Sequence, residues 1–238
     1  MAYKVLNNVS VKDVTSSDLL SLKTDLLVIV INKNTKDKVV NQLAKDVSSL
    51  LKESGSSVLV PNAKSFNAKN VLLVKGFQDS DQIHKLISMY QSIAQKGNQL
   101  KAKDISIMPG TVFPKGKCEM WLIEMVAKTI ESNVYIFSET CNKTAKKPSV
   151  KKLNILVSSL TKSDLIKAKN AAKKGYAIGE GVNSAKYLGD LPANHCTPRI
   201  IEKKVKAMTK DFPKLKVKSF NENQMKKMGM GSFLSVSR

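Results

Sequence analysis

Leu26-Leu27-Val28-Ile29-Val30-Ile31 is an unbroken apolar run, short and rich in β-branched residues. With no polar residue alternating through it, such a run reads as a strand buried on both faces, the kind found at the centre of a mostly parallel sheet. Similar runs lie on its C-terminal side. Val58-Leu59-Val60 is followed by Val71-Leu72-Leu73-Val74, which Gly76 ends, and Ile105-Ser106-Ile107-Met108 leads into the turn signal Pro109-Gly110. Val134-Tyr135-Ile136-Phe137 and Leu153-Asn154-Ile155-Leu156-Val157 complete the predicted strands. Helical spacing fills the gaps: Val39, Val40, Leu43, Val47, Leu50 and Leu51 within 38–51; Ile83, Leu86, Ile87, Tyr90, Ile93 and Ala94 within 81–100; and Met120, Trp121, Ile123, Met125 and Ile130 within 118–130. Strands alternating with helices predict an α/β domain over 1–160, with helices on both faces of a mixed sheet.

Beyond a polar, lysine-rich loop (138–149), Thr161-Lys162-Ser163-Asp164 offers capping oxygens for a long linker helix over 161–190. That helix keeps Gly175, Gly179 and Gly181, each costing up to about 1 kcal/mol relative to alanine, which predicts close packing along it. Thr197-Pro198 then starts a helix reaching about Lys210. Leu215–Phe220 alternates like a half-exposed strand, 221–228 reads as a short helix stopped by Gly229, and 232–236 reads as a strand. Residues 191–238 hold too few apolar side chains for a core of their own and read as the opening of a second, truncated domain.

Composition sets limits. No apolar stretch approaches the roughly 20 residues that span a bilayer. The start, Met1-Ala2-Tyr3-Lys4-Val5, lacks a signal-peptide core, so a cytoplasmic location is expected. Cys118, Cys141 and Cys196 are irregularly spaced and read as free thiols of a reducing compartment. His84 and His195 stand far apart, without the clustered ligands of a zinc site. The formal net charge is +21; two of the 40 basic residues are arginine and 38 are lysine. Two readings follow. The lysines are solvated faces of a chain from an AT-rich genome, or Lys143, Lys146, Lys147, Lys151, Lys152, Lys173 and Lys174 form a sequence-tolerant surface for DNA phosphates.

The stretch 179–198, GEGVNSAKYLGDLPANHCTP, resembles the segment joining the two domains of bacterial leucyl aminopeptidases, the M17 metallopeptidase family. Lys186, Leu188, Pro192, Asn194, Thr197 and Pro198 stand at the matching positions, with Asp190 where the family usually has asparagine. Farther on, Gln224, Met225, Met228, Gly229, Met230, Phe233, Leu234 and Val236 resemble the family's short helix, Met-Gly turn and strand. The resemblance implies an N-terminal α/β sandwich similar to macro domains, a long linker helix and the first elements of a second, catalytic α/β domain. It implies, for the full-length enzyme, a cytosolic hexamer that removes N-terminal amino acids from peptides with two divalent metals, zinc or manganese. The family's lysine-glycine, aspartate-glycine-glycine and aspartate-x-glutamate-glycine-arginine stretches lie beyond the point matched by Arg238. The expectation is therefore that this chain contributes no catalytic and no metal-binding residue, is inactive alone, and serves oligomerisation and access control. Asp79 and Asp81 read as turn carboxylates. The neighbours His195 and Cys196, with Asp190 close by, could suggest a thiol nucleophile, but the matched family segment is structural. Nucleotide or ADP-ribose binding, by analogy with macro domains, finds Gly55, Gly76, Gly97 and Gly110 isolated rather than clustered into a phosphate cradle.

Overall fold

The computed structural model describes residues 5–31, 56–77, 83–110, 114–140 and 147–236. The chain divides into two compact units, a larger one over 3–187 and a smaller one that begins at Leu188.

In the larger unit, β1 (Asn8–Asp13), β2 (Thr24–Ile31), β3 (Ser57–Pro61), β4 (Ala68–Lys75), β5 (Asp104–Met108) and β6 (Lys152–Val157) form one sheet in the order β1-β6-β5-β2-β4-β3. Its neighbours run parallel except β3 against β4, so the sheet is mixed, as expected. The founding apolar run is β2, fourth in that order, flanked by β4 and β5. Strand side chains alternate between faces. Leu26, Val28 and Val30 therefore enter one core and Leu27 and Ile29 the other. The larger core is closed by α2 (Ile83–Gln99), α3 (Glu119–Val134) and α4 (Lys162–Asp190), the smaller by α1 (Ser16–Ser21) and Phe66.

A polar seam holds the register on one side of the sheet. Ser10 Oγ donates to Asn154 Oδ1 (2.9 Å), Asn154 Nδ2 to Ser106 Oγ (3.0 Å), Ser106 Oγ to Thr24 Oγ1 (3.0 Å), and Thr24 Oγ1 to Asp104. A slip of one residue between β1, β6, β5 and β2 would turn one partner of each bond to the opposite face and leave buried groups such as Ser106 unpaired.

Some expectations need correction. Val134–Phe137 is not a strand: Val134 is the last residue of α3, and 135–137 are irregular. The strand beside β6 on the side away from β5 is β1, a polar strand with weak alternation that sequence reading overlooked along with α1. The 38–51 helix, Asp79, Asp81, Cys141, Lys143 and Lys146 lie outside the described residues.

The 188–236 unit carries α5 (Pro198–Met208), α6 (Glu222–Lys227) and α7 (Gly231–Ser235). Thr197 Oγ1 accepts from the Ile200 amide and Pro198 occupies the first turn. Asn221 and Gln224 form a reciprocal capping box, and Gly229, at φ 72°, ends α6. Leu215–Phe220 has no strand partner among the described residues and stays irregular, and 232–236 falls in helix α7 and its C-cap instead of a strand. Alternation alone cannot make a strand whose amides have no ladder to join. No described helix is long and apolar enough to cross a membrane.

Candidate functional site

The motif-bearing end of α4 is where sequence and chemistry meet. Thr161 caps α4, accepting from the Asp164 amide (3.1 Å) and donating to Asp164 Oδ2 (2.8 Å). Lys167 and Thr161 together hold the exposed Asp164 carboxyl below its usual range. Two of the three glycines then explain themselves. A Cβ on Gly175 would lie 2.1 Å from the Glu124 carbonyl oxygen, and one on Gly179 would lie 2.7 Å from Glu131 Cβ. A Cβ on Gly181 would meet nothing within 4 Å, so the expected close packing holds at Gly175 and Gly179 and fails at Gly181.

This close approach presses α4 onto α3 from Glu124 to the fully buried Glu131. Its Oε1 accepts from the Val5 amide (3.0 Å) and Asn183 Nδ2 (2.9 Å), and Oε2 accepts from the Leu6 amide (3.0 Å). Tyr176 Oη donates to the Leu6 carbonyl (2.8 Å). One carboxylate thus ties the N-terminal strap to two helices. Burial pushes the Glu131 carboxyl up and the nearby Glu180 adds to it, outweighing the three N–H donors that favour the charged form. Burial, with Glu180, likewise raises the Tyr176 hydroxyl.

The same junction solves a second problem. The last four carbonyls of a helix have no partner within it. At the end of α3, Asn183 Nδ2 donates to Glu131 O (2.9 Å), Lys186 Nζ to Ser132 O (2.6 Å) and Asn98 Nδ2 to Val134 O (2.9 Å). Lys186 also places its cation at the negative end of the α3 dipole and lies 5.9 Å from the Tyr135 ring centre. The basic residue of the motif is thus a helix cap. Asn183 was missed from sequence because an asparagine inside a helix carries no local signal. Its Oδ1 is buried and has no hydrogen-bond partner among the described residues.

The remaining candidates do not converge. Cys196 and His195 follow each other in a turn whose amides both bond to Pro192 O, with His195 exposed and Cys196 half-buried. Lys147, Lys152, Lys173 and Lys174 are exposed and Lys151 is half-buried. Lys174 is paired with Glu124 at 3.0 Å, and no observation on the described lysines favours a phosphate-binding surface. Among the described residues, no three His, Cys, Asp or Glu side chains gather as metal ligands.

Comparison with known proteins supplies the frame for this junction. Residues 183–238 match the model of the cytosol aminopeptidase family, catalytic domain. The cytosol aminopeptidase of Pseudomonas aeruginosa is 28% identical over 233 residues, covering 92% of this chain and 46% of that protein. Over most of its length the chain is similar to cytosol aminopeptidases, and the match to the family model is confined to residues 183–238. A probable cytosol aminopeptidase of Saccharophagus degradans is 30% identical over 186 residues, 76% of this chain and 37% of its own length. The chain thus spans about half the length, or less, of these relatives. Its fold is shared with a mutant of tomato leucine aminopeptidase (TM-score 0.70, 19% identity, 96% of this chain and 47% of that one). It is shared more loosely with the bottromycin maturation enzyme BotP (TM-score 0.57, 15% identity). The family match begins at Asn183, inside the α3–α4 junction.

Proposed function

We propose that this chain serves a metal-dependent cytosolic aminopeptidase that removes N-terminal residues from peptides, and that its described residues supply scaffold and access control instead of the hydrolytic centre. The observation that carries this reading is the position of Asn183 and Lys186. They open the segment matching the catalytic domain, and they also bond to the buried end of α3 in the α/β unit. A helix pinned at Glu131, Ser132 and two tightly packed glycines is held firmly against the α/β unit, which suits a scaffold role. Subunit contacts in a hexamer, and zinc or manganese as the metals, belong to the same proposal for the whole enzyme.

The test is hydrolysis of leucyl-p-nitroanilide by the purified 238-residue chain with added Mn²⁺ or Zn²⁺. The expected result is no release above the metal-only blank. Release that a chelator abolishes would place a working centre in these residues and overturn the scaffold assignment.

A further inference from the structure

A cavity of about 210 Å³ lies in the α/β unit, between the β3–β4 edge of the sheet and one face of α2. The sequence opens it. Ser57 is paired across the strands with Val74 and Leu59 with Leu72, so these four side chains share a face. Three of them are bulky; Ser57 is small and leaves space beside Val74. Met89, Ile93, Lys96 and Gln99 recur every three or four residues along α2, and with Ser92 and Gln95 they wall the other side. The floor is apolar and buried, made by Leu72, Val74, Met89 and Ile93. The rim is polar: Gln95 and Gln99 are exposed and Lys96 is half-buried. Ser92 Oγ is spent on the Ser88 carbonyl (3.0 Å), but the side chains of Gln95, Lys96 and Gln99 have no hydrogen-bond or ion-pair partner among the described residues. No acidic side chain is among the residues that line the cavity.

We infer that this cavity binds a small aliphatic monocarboxylate, its chain on the apolar floor and its carboxylate on Lys96 with the Gln95 and Gln99 amides. Size, polarity and charge each narrow the ligand. A dry cavity of about 150 Å³ holds benzene, so this one takes a molecule of about six to eight non-hydrogen atoms. A wholly apolar ligand would leave the Lys96 cation without a counter-charge, and a phosphate would set a multiply charged group against four apolar side chains. A carboxylate on a short hydrocarbon chain suits both ends. Its oxygens accept charge-assisted hydrogen bonds from the ammonium, and its chain leaves water. An ammonium on the ligand, as in a free amino acid, would meet no carboxylate among the lining residues. The same chemistry is offered by a free acid and by the C-terminal residue of a peptide, whose nitrogen is tied up in an amide. The inference concerns the α/β unit alone and does not depend on the aminopeptidase reading.

The experiment titrates the full 238-residue chain, isotopically labelled at its methionine methyls, with isocaproate. Met89 reports from the cavity floor, its resonance assigned by its loss in Met89→Leu. A saturable shift of that methyl is expected, with a Kd of about 1 mM or tighter. N-acetyl-leucine, standing for a peptide C-terminus, should shift the same methyl, and the tighter binder of the two names the source. Isocaproamide, which carries no charge, should bind at least about tenfold more weakly, and so should isocaproate to Lys96→Gln. Lys85→Gln removes an exposed charge from the same helix outside the cavity and should bind isocaproate like the parent chain. Ser57→Val fills the space beside Val74 and should abolish the shift. Thermal unfolding checks that each variant is folded, and the amide comparison needs no variant at all. Four results overturn the inference: no saturable shift of Met89 up to about 10 mM isocaproate; equal binding of isocaproamide; equal binding by Lys96→Gln; or equal weakening by Lys85→Gln.

Discussion

Replacing Gly175 with alanine tests the α3–α4 junction most directly. Helix propensity alone favours the change by up to about 1 kcal/mol, because alanine loses less backbone freedom on folding. The packing opposes it. The new Cβ would sit 2.1 Å from the Glu124 carbonyl oxygen, 2.9 Å from the Glu124 carbonyl carbon and 3.0 Å from Ala127 Cβ. A normal carbon–oxygen contact needs more than about 3 Å, so α4 must lift by about an ångström or α3 must bend. The obstacle is a helix backbone and cannot rotate aside. Lifting α4 also loosens the Tyr176, Asn183 and Lys186 hydrogen bonds beside it. Overpacking of this kind costs about 1–3 kcal/mol, and the strained polar contacts add to it. The net expectation is a loss of about 2 kcal/mol, or about 4–8 °C in Tm for a chain of this length. Gly181→Ala is the internal control: the same chemistry in the same helix into open space should be neutral or stabilising by up to about 1 kcal/mol. Urea titration followed through Trp121, the single tryptophan and a resident of α3, reads both variants. Equal midpoints for Gly175→Ala and Gly181→Ala would refute the argument from close approach.

Other consequences can be read on the same chain. The Glu131 carboxyl is raised when folded, so its contribution to stability is fully present below the ordinary unfolded value. It is lost as pH rises through the higher folded value. The urea midpoint should fall over that acid-side window, and Glu131→Gln should flatten the fall while costing about 1–3 kcal/mol for the mispaired Leu6 amide; an unchanged pH profile would contradict the assignment. Lys186→Ala should cost about 1–2 kcal/mol through the uncovered Ser132 carbonyl and the lost cation at the α3 terminus, with Lys186→Arg recovering part of it, measured by thermal unfolding. Thr161→Ala should cost about 1 kcal/mol and speed hydrogen exchange in the first turn of α4 above all; uniform exchange across the helix would argue against a cap.

The amino-acid sequence by itself determined the layered α/β order, the central strand at 26–31, the capped helices expected at 161–190 and from Thr197 to about Lys210, and the family-like segment at 179–198. These features rest on local patterning: an apolar run, a helical period of about 3.6 residues, a hydroxyl before a helix, a spaced motif. Tertiary structure decided what local patterning cannot carry. The 134–137 run looked like a strand, but Val134 ends a helix whose last carbonyls Asn98, Asn183 and Lys186 satisfy, and 135–137 are irregular. Gly175 and Gly181 look alike in sequence and differ only in what faces them. Glu131 lies in the last turn of an apolar helix and became the anchor of the N-terminal strap through amides more than a hundred residues away. A buried charge is defined by its partners, and partners distant along the chain meet only once the helices have packed.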